Sequence, residues 1–163
     1  MKEDEKLLLR REVRNTDPSR VEIMVRSTGF FRDDETAIAV ELVVERIRKG
    51  PESGYEFLFA DMEGETVAYS CYGLIPCTLH SYDLYWIVTH SDFMNQGIGR
   101  KILGETERLI RESGGTGIYV ETSSKDQYAP TRAFYERNSY LLKARFENFY
   151  DLNDDKLVYV KYI

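Results

Sequence analysis

The stretch that decides the fold of this chain is residues 85–100, which read YWIVTHSDFMNQGIGR. An apolar segment with the composition of a strand runs into a polar turn, and Gly97-Ile98-Gly99 then opens a long amphipathic segment. At a strand-to-helix junction of this kind, several backbone N–H groups lack a partner within the helix, and the positive end of the helix dipole lies behind them. Glycine at positions 97 and 99 lets an anion approach the main chain without meeting a Cβ. The junction therefore predicts a binding site for an anion such as phosphate.

Working outward from this junction, apolar periodicity and turn residues predict a mixed α/β chain. The expected order is β–α–α–β–β–β–α–β–α–β–β, which combines an antiparallel meander with one strand–helix–strand crossover. This order predicts a single mixed, mostly antiparallel central sheet of about seven strands flanked by helices. The expected elements span residues 7–14, 18–27, 33–49, 55–60, 66–72, 82–89, about 98–112, 117–122, about 130–137, about 142–150 and 156–162.

Three local expectations concern the helices. Asp17 before Pro18 is expected to be the N-cap of the first helix. The second and third helices are each expected to bury one apolar stripe and to turn their charged residues to water. The buried stripes are predicted from Ala39, Leu42, Val43 and Ile47 in the second helix and from Ile98, Ile102, Thr106, Leu109 and Ile110 in the third, where Glu105, Glu107, Arg108 and Arg111 are expected to face water.

Composition narrows the class of protein. A length of 163 residues fits one domain spanning residues 1–163, and a net charge of −6 argues against nucleic acid as a partner. No apolar run reaches the roughly 18 residues of a membrane span, and the N-terminus does not resemble a signal peptide. Cys71 and Cys77 have no metal-ligand partners nearby, so we expect reduced structural thiols. We therefore expect a cytoplasmic protein without a metal, a membrane contact or a nucleic acid partner.

The Gly-x-Gly pattern alone leaves several interpretations open. A P-loop needs a Ser or Thr hydroxyl after Gly-Lys, and Gly99-Arg100-Lys101 has none. A dinucleotide-binding turn needs a third glycine three residues further on, where Ile102 stands. A tight turn without any ligand is also compatible with the two glycines.

Two sequence blocks resemble those of one protein family. Residues 94–99, MNQGIG, resemble the acetyl-CoA loop of the GNAT N-acetyltransferase superfamily, whose pattern is Arg/Gln-x-x-Gly-x-Gly/Ala, although Met94 stands where a basic or amide side chain is usual. Residues 128–140, YAPTRAFYERNSY, are similar to the family's Asn-x-x-Ala-x-x-Phe-Tyr-Glu-Lys-x-Gly-Phe block. Tyr128, Thr131 and Ser139 stand there in place of Asn, Ala and Gly. Two blocks at the right separation, within the right order of elements, imply a GNAT-like acyl-CoA acyltransferase fold.

The resemblance implies direct transfer of an acetyl group from acetyl-CoA to a primary amine of a small molecule or a protein, through a tetrahedral intermediate and without a metal. The backbone of the loop would bind the pyrophosphate, and the end of the preceding strand would pair with the amide-rich pantetheine arm. A main-chain N–H there could polarise the thioester carbonyl. The expected cofactor-binding residues are Ile87, Val88, Thr89, Met94, Asn95, Gln96, Gly97, Ile98, Gly99, Arg100, Tyr128 and Arg132.

Three residues are candidates for catalysis. An alkyl ammonium with a pKa near 10 costs roughly 4 kcal/mol to deprotonate at neutral pH, so a carboxylate is needed near the transfer point, directly or through water. Asp83 lies where histone-type family members carry a glutamate base, and Glu121 lies on the neighbouring predicted strand. Either could instead only attract a cationic acceptor. Tyr135 matches the family's general-acid tyrosine, which would protonate the leaving thiolate.

Other functions stay open at this point. A covalent route through a Cys–His pair would need a thiol within hydrogen-bond reach of His90. A CoA-binding sensor or accessory module that has lost turnover is the alternative from another class. The sequence identifies neither the acceptor nor the oligomeric state, and a homodimer is possible.

Overall fold

The computed structural model describes residues 6–163, and its helices and strands follow the predicted order. The seven strands form one mixed sheet in the order β1-β2-β3-β4-β5-β7-β6, flanked by helices, as predicted. Short 3₁₀ turns span Gly50–Ser53, Ser91–Phe93 and Asp126–Tyr128. The main elements are β1 (Leu8–Arg10), α1 (Asp17–Ser27), α2 (Asp33–Lys49), β2 (Glu56–Met62), β3 (Glu65–Leu74), β4 (Ser81–Thr89), α3 (Ile98–Glu112), β5 (Gly117–Ser123), α4 (Ala129–Arg137), β6 (Leu141–Asp151) and β7 (Asp154–Tyr162).

The chain divides into two compact units. Of the described residues, the first unit comprises those up to Gly73 and Trp86–Arg108, and the second comprises Leu74–Tyr85 and Leu109–Ile163. Strand β4 and helix α3 each contribute residues to both units. The prediction of a single domain over residues 1–163 stays a prediction.

The core of the first unit is an aromatic stack under α1 and α2. Phe57 and Phe59 stack at 5.6 Å between ring centroids, and Tyr69 follows Phe59 at 6.0 Å. Cys71 on β3 is fully buried in the same core. The hydroxyl group of Tyr69 is buried and has no hydrogen-bond partner among residues 6–163.

The start of α1 differs from the prediction, and the expectation that Asp17 is the N-cap was wrong. Thr16 is the N-cap and Asp17 is the first helical residue, fully buried. Its carboxylate accepts hydrogen bonds of 2.6 and 2.8 Å from the Arg10 guanidinium and one of 2.6 Å from the backbone N–H of Arg14. Arg10 also donates to Asp61 over 2.7 Å. The carboxylate therefore binds the end of β1 instead of capping its own helix.

Three further predictions need correction. Ile47, placed on the buried face of α2, is 39 % exposed because it lies one turn beyond Val43, where the core cluster ends. Glu107, expected to face water, is only 8 % exposed because it lies four residues after the buried Leu103 and so shares its stripe. The first strand covers Leu8–Arg10 and not the whole of residues 7–14.

The second unit contains a sheet with two chemically different faces. Residues paired directly across neighbouring strands lie on the same face. Val120 pairs with Tyr159, whose ring lies 6.2 Å from that of Tyr135 on α4, so this face is covered by α4. The opposite face, here called the carboxylate face, carries Asp83, Tyr119, Glu121, Lys156 and Val158.

Candidate active site

The predicted anion loop lies in the first unit, between the end of β4 and the start of α3. Asn95 and Gly97 have positive φ angles of 61° and 78°, which curl the chain before the helix begins at Ile98. The N–H of Lys101 donates to the carbonyl of Gly97 over 3.2 Å. The N–H groups of the three preceding helical residues fall in the first turn, where no intrahelical acceptor exists.

The loop also has room for an anion. A Cβ built on Gly97 would have no atom within 4 Å. A pyrophosphate requires open space beside the N–H groups of a helix's first turn, where the positive end of the helix dipole lies. The residues present therefore fit the phosphates of CoA.

The side chains around the loop are placed as follows. Met94 is 38 % exposed, and Val88 on β4 is buried in the core of the first unit between the half-buried Ile87 and Thr89. Arg100 lines a surface groove of about 600 Å³ beside Leu7 and Leu9. The other lining residues are Lys6, Lys101, Gly104 and Glu105.

Two predicted carboxylates come together in the second unit. Asp83 pairs with Tyr119 across the parallel β4–β5 ladder, and Glu121 lies two residues further along on the same face. Burial, together with the negative charge of Glu121, raises the pKa of Asp83 to about 6. Lys156 opposes this shift. Asp83 is thus a stronger base than an ordinary aspartate and is still mostly ionised at neutral pH.

Lys156 is the residue of this site that sequence reasoning missed. Its ammonium group lies 2.9 Å from Glu121 Oε1 and 4.5 Å from the ring centroid of Phe149. Alternation along β7 could have indicated it, because position 156 falls on the same face as Val158. The contact of Lys156 with Glu121 becomes visible only once β7 is known to pair with β5.

Tyr135 lies on the other face of the sheet from the two carboxylates. It is 5 % exposed and packs among the rings of Phe134, Tyr140 and Tyr159 at 5.6–6.2 Å. Burial raises the pKa of its hydroxyl, so the phenol keeps its proton at neutral pH.

Arg132 and Tyr128 occupy the approach to α4. The Arg132 guanidinium donates to the carbonyl oxygens of Ser123 and Lys125 at 2.8 and 2.9 Å. Tyr128 is the N-cap residue of α4 and ends the preceding 3₁₀ turn. Arg132 therefore links the end of β5 to the following loop through hydrogen bonds. Its predicted contact with the cofactor stays a prediction.

The cysteines do not favour covalent catalysis. Both thiols are free, and burial raises the pKa of Cys71, which disfavours the nucleophilic thiolate. The ring of His90 accepts a hydrogen bond from the backbone N–H of Asp92 through Nδ1. Within residues 6–163, no group of three or more His, Cys, Asp or Glu side chains is arranged to hold a metal ion. No helix in this described part is long and apolar enough to cross a membrane.

Comparisons with known proteins agree on one family. Residues 53–140 match the family model of the acetyltransferase (GNAT) domain, whereas a search of curated proteins found no match. A Desulfovibrio desulfuricans protein, described as a candidate acetyltransferase of the GNAT family, is 39 % identical, with a TM-score of 0.95 over 96 % of this chain and 99 % of that one.

Two more distant structures share the fold. A ribosomal-protein-alanine N-acetyltransferase from Brucella melitensis is 20 % identical, with a TM-score of 0.77 over 96 % of this chain and 99 % of that one. An aminoglycoside 6′-N-acetyltransferase complexed with coenzyme A is 18 % identical, with a TM-score of 0.75 over 95 % and 96 % of the two chains.

Proposed function

Because the chain belongs to the GNAT family of acetyltransferases, which use acetyl-CoA, we propose that it transfers the acetyl group directly from CoA to a primary amine. The observation that carries this proposal is the pair Asp83 and Glu121 on one face of the sheet, with the pKa of Asp83 raised to about 6. A carboxylate of this basicity suits the deprotonation of an ammonium group.

The donor would be held by the chain between β4 and α3. The N–H groups of Ile98, Gly99 and Arg100 and the open space at Gly97 would bind the pyrophosphate, and residues 87–89 would pair with the pantetheine arm. Met94, Asn95, Gln96, Tyr128 and Arg132 are proposed as further contacts. Bound there, acetyl-CoA supplies an activated acyl group.

The acceptor side supplies proton transfer. Asp83, or Glu121 through a water, would take a proton from the ammonium group, and the freed nitrogen would add to the acetyl carbon. The nitrogen would then lose a second proton to solvent, and the carbon–sulfur bond would break as the intermediate collapses. The intermediate of such a transfer is tetrahedral. Tyr135, kept protonated by burial, gives its proton to the departing thiolate. The thiol has a pKa near 8.5, so this donor lowers the barrier to its departure.

The acceptor can be a small molecule or a protein. The Brucella melitensis and aminoglycoside enzymes are named for these two classes, and both have the same fold as this chain. We also propose a cytoplasmic location, where reduced thiols such as the free Cys71 and Cys77 persist.

The test is release of CoA thiol from acetyl-CoA with a panel of monoamines, diamines, aminoglycosides and peptides with free α-amino groups, with the acetylated product confirmed by mass spectrometry. We expect amine-dependent release with at least one class. Tight CoA binding without amine-dependent release from any member would instead support a CoA-binding sensor.

A further inference from the structure

The ammonium group of Lys156 is fixed beside the proposed catalytic carboxylates. It contacts Glu121 Oε1 at 2.9 Å and lies 4.5 and 5.8 Å from the ring centroids of Phe149 and Phe146. Its side chain is 18 % exposed, whereas that of Glu121 is 53 % exposed. An ion pair on one side and aromatic rings on the other hold the lysine in place, while Glu121 keeps surface open to a ligand.

The charges on the carboxylate face can be counted. Asp83 and Glu121 contribute two negative charges when both are ionised, and Lys156 contributes one positive charge. Two other carboxylates lie near Lys156 on β7, and each has a cation beside it. Asp154 binds the hydroxyl of Ser123 and lies 3.7 Å from the ammonium group of Lys125. Asp155 lies 2.6 Å from the guanidinium group of Arg145. The described residues named here therefore leave about one uncompensated negative charge on this face, which matches one incoming ammonium group.

We propose that Lys156 determines acceptor specificity by limiting this uncompensated charge to one, so that the enzyme acts on amines with a single ammonium group near the transfer point and does not favour polyamines. The inference rests on the proposed function, because it takes the carboxylate face to be where the amine binds. Lys156 acts through Asp83 and Glu121 and need not touch the reacting atoms.

The test compares n-hexylamine with 1,6-diaminohexane, which differ by one ammonium group at equal chain length. The wild-type protein is expected to use the diamine no better than the monoamine, judged by kcat/KM. In Lys156→Gln, the ratio of kcat/KM for the diamine to kcat/KM for the monoamine is expected to rise about tenfold. This is the effect on the rate of removing one unit charge several ångströms away in a partly hydrated site. Lys156→Arg, the matched control that keeps the charge, is expected to stay within about twofold of the wild type.

A second measurement does not depend on turnover. Binding of the same two amines, followed by the carboxyl ¹³C resonances of Asp83 and Glu121, is expected to show the same charge-dependent preference in the three proteins. Three results would each overturn the inference. They are an unchanged diamine-to-monoamine ratio in Lys156→Gln, an equal change of that ratio in Lys156→Arg, and no binding of either amine at these carboxylates. Failure of every amine to release thiol contradicts the proposed acetyl transfer, and the binding result still decides the role of Lys156.

Discussion

At the scale of single residues, the carboxylate face and the buried phenol have opposite protonation needs. The base must lose its proton before it can accept one from the acceptor, whereas the acid must keep its proton until the thiolate leaves. A pKa of about 6 at Asp83 meets the first need at neutral pH. A pKa raised by burial at Tyr135 meets the second need. Each residue can be tested separately.

The first prediction concerns the pH dependence of the reaction. Because the active form of Asp83 is ionised and its pKa is about 6, kcat/KM is expected to rise about tenfold per pH unit below 6 and to level off above it. Steady-state rates between pH 4.5 and 8 check this. Glu121→Gln is expected to move the acidic limb to lower pH, because the charge of Glu121 raises the pKa of Asp83. If the rise of kcat/KM at low pH is unaltered in Asp83→Asn, a group other than Asp83 is responsible for it.

The second prediction concerns the proposed acid. Tyr135→Phe is expected to lower kcat by about 10²-fold, the scale for losing a general acid, and to leave the Kd for CoA nearly unchanged. Steady-state kinetics and titration calorimetry measure the two quantities. Tyr159→Phe is the matched control, because it removes a hydroxyl group from the same aromatic cluster, where that group donates to Glu136 over 3.0 Å. An equal loss of kcat in both variants would point to packing as the cause.

At the scale of elements, the start of α3 joins a strand, a turn and a helix within a few residues. Gly97 has a φ of 78°, a conformation that costs other L-residues about 1 kcal/mol, and it leaves open the space that a methyl group would fill. At the other end of the helix, Gly114 has a φ of 88° and equally open surroundings. The two glycines therefore have similar backbone strain but differ in their proximity to the anion loop.

The third prediction uses this contrast. Gly97→Ala is expected to weaken CoA binding about tenfold, because the methyl group would lie where the phosphate approaches and would strain the loop. Gly114→Ala should lose a similar free energy of unfolding, about 1 kcal/mol, without a change in the Kd for CoA. Calorimetry with CoA and urea denaturation give the two values. If both variants bind CoA equally well, the loop at Gly97 is not the phosphate site.

At the scale of the whole molecule, stability depends on one polar cluster as well as on apolar packing. Arg10 donates to Asp17 and Asp61, and its guanidinium lies 4.4 Å from the ring centroid of Phe59. Burial opposes ionisation of Asp61, but hydrogen bonds from Arg10 and Thr66 outweigh it and lower the pKa of Asp61. A lowered carboxyl pKa adds stability at neutral pH that is lost as the pH falls through it, so this cluster weakens in acid.

The fourth prediction concerns that cluster. Asp17→Ala is expected to cost about 3–5 kcal/mol in the free energy of unfolding, because it leaves a largely buried guanidinium without one of its two carboxylates. Urea denaturation at pH 7 measures the loss, and Asp17→Asn provides a milder variant if the alanine protein does not fold. Glu22→Ala breaks an exposed pair with Arg26 and is expected to leave the free energy of unfolding almost unchanged. Equal losses in the two alanine variants would contradict this role of the cluster.

Local signals predicted the elements well and the long-range contacts poorly. Helix α2 begins at Asp33 and ends at Lys49 as predicted, because its periodicity and the Gly50-Pro51 stop are local. Asp17 was mistaken for an N-cap because its partner Arg10 lies on β1, and sequence spacing gives no information about that contact. The carboxylates were foreseen from strand positions, whereas Lys156 was not. It meets Glu121, 35 residues earlier in the chain, only because β7 pairs with β5.

The strand order β5-β7-β6 has a consequence for how the protein folds. Strands β6 and β7 are close in sequence and pair as a hairpin, whereas β7 must then join β5, from which α4 and β6 separate it along the chain. Hairpins form in about 1–10 μs, and pairings of large sequence separation come later. We therefore expect the contact between Glu121 and Lys156 to form in that later step. Substitutions at either residue should then accelerate unfolding and leave the folding rate almost unchanged.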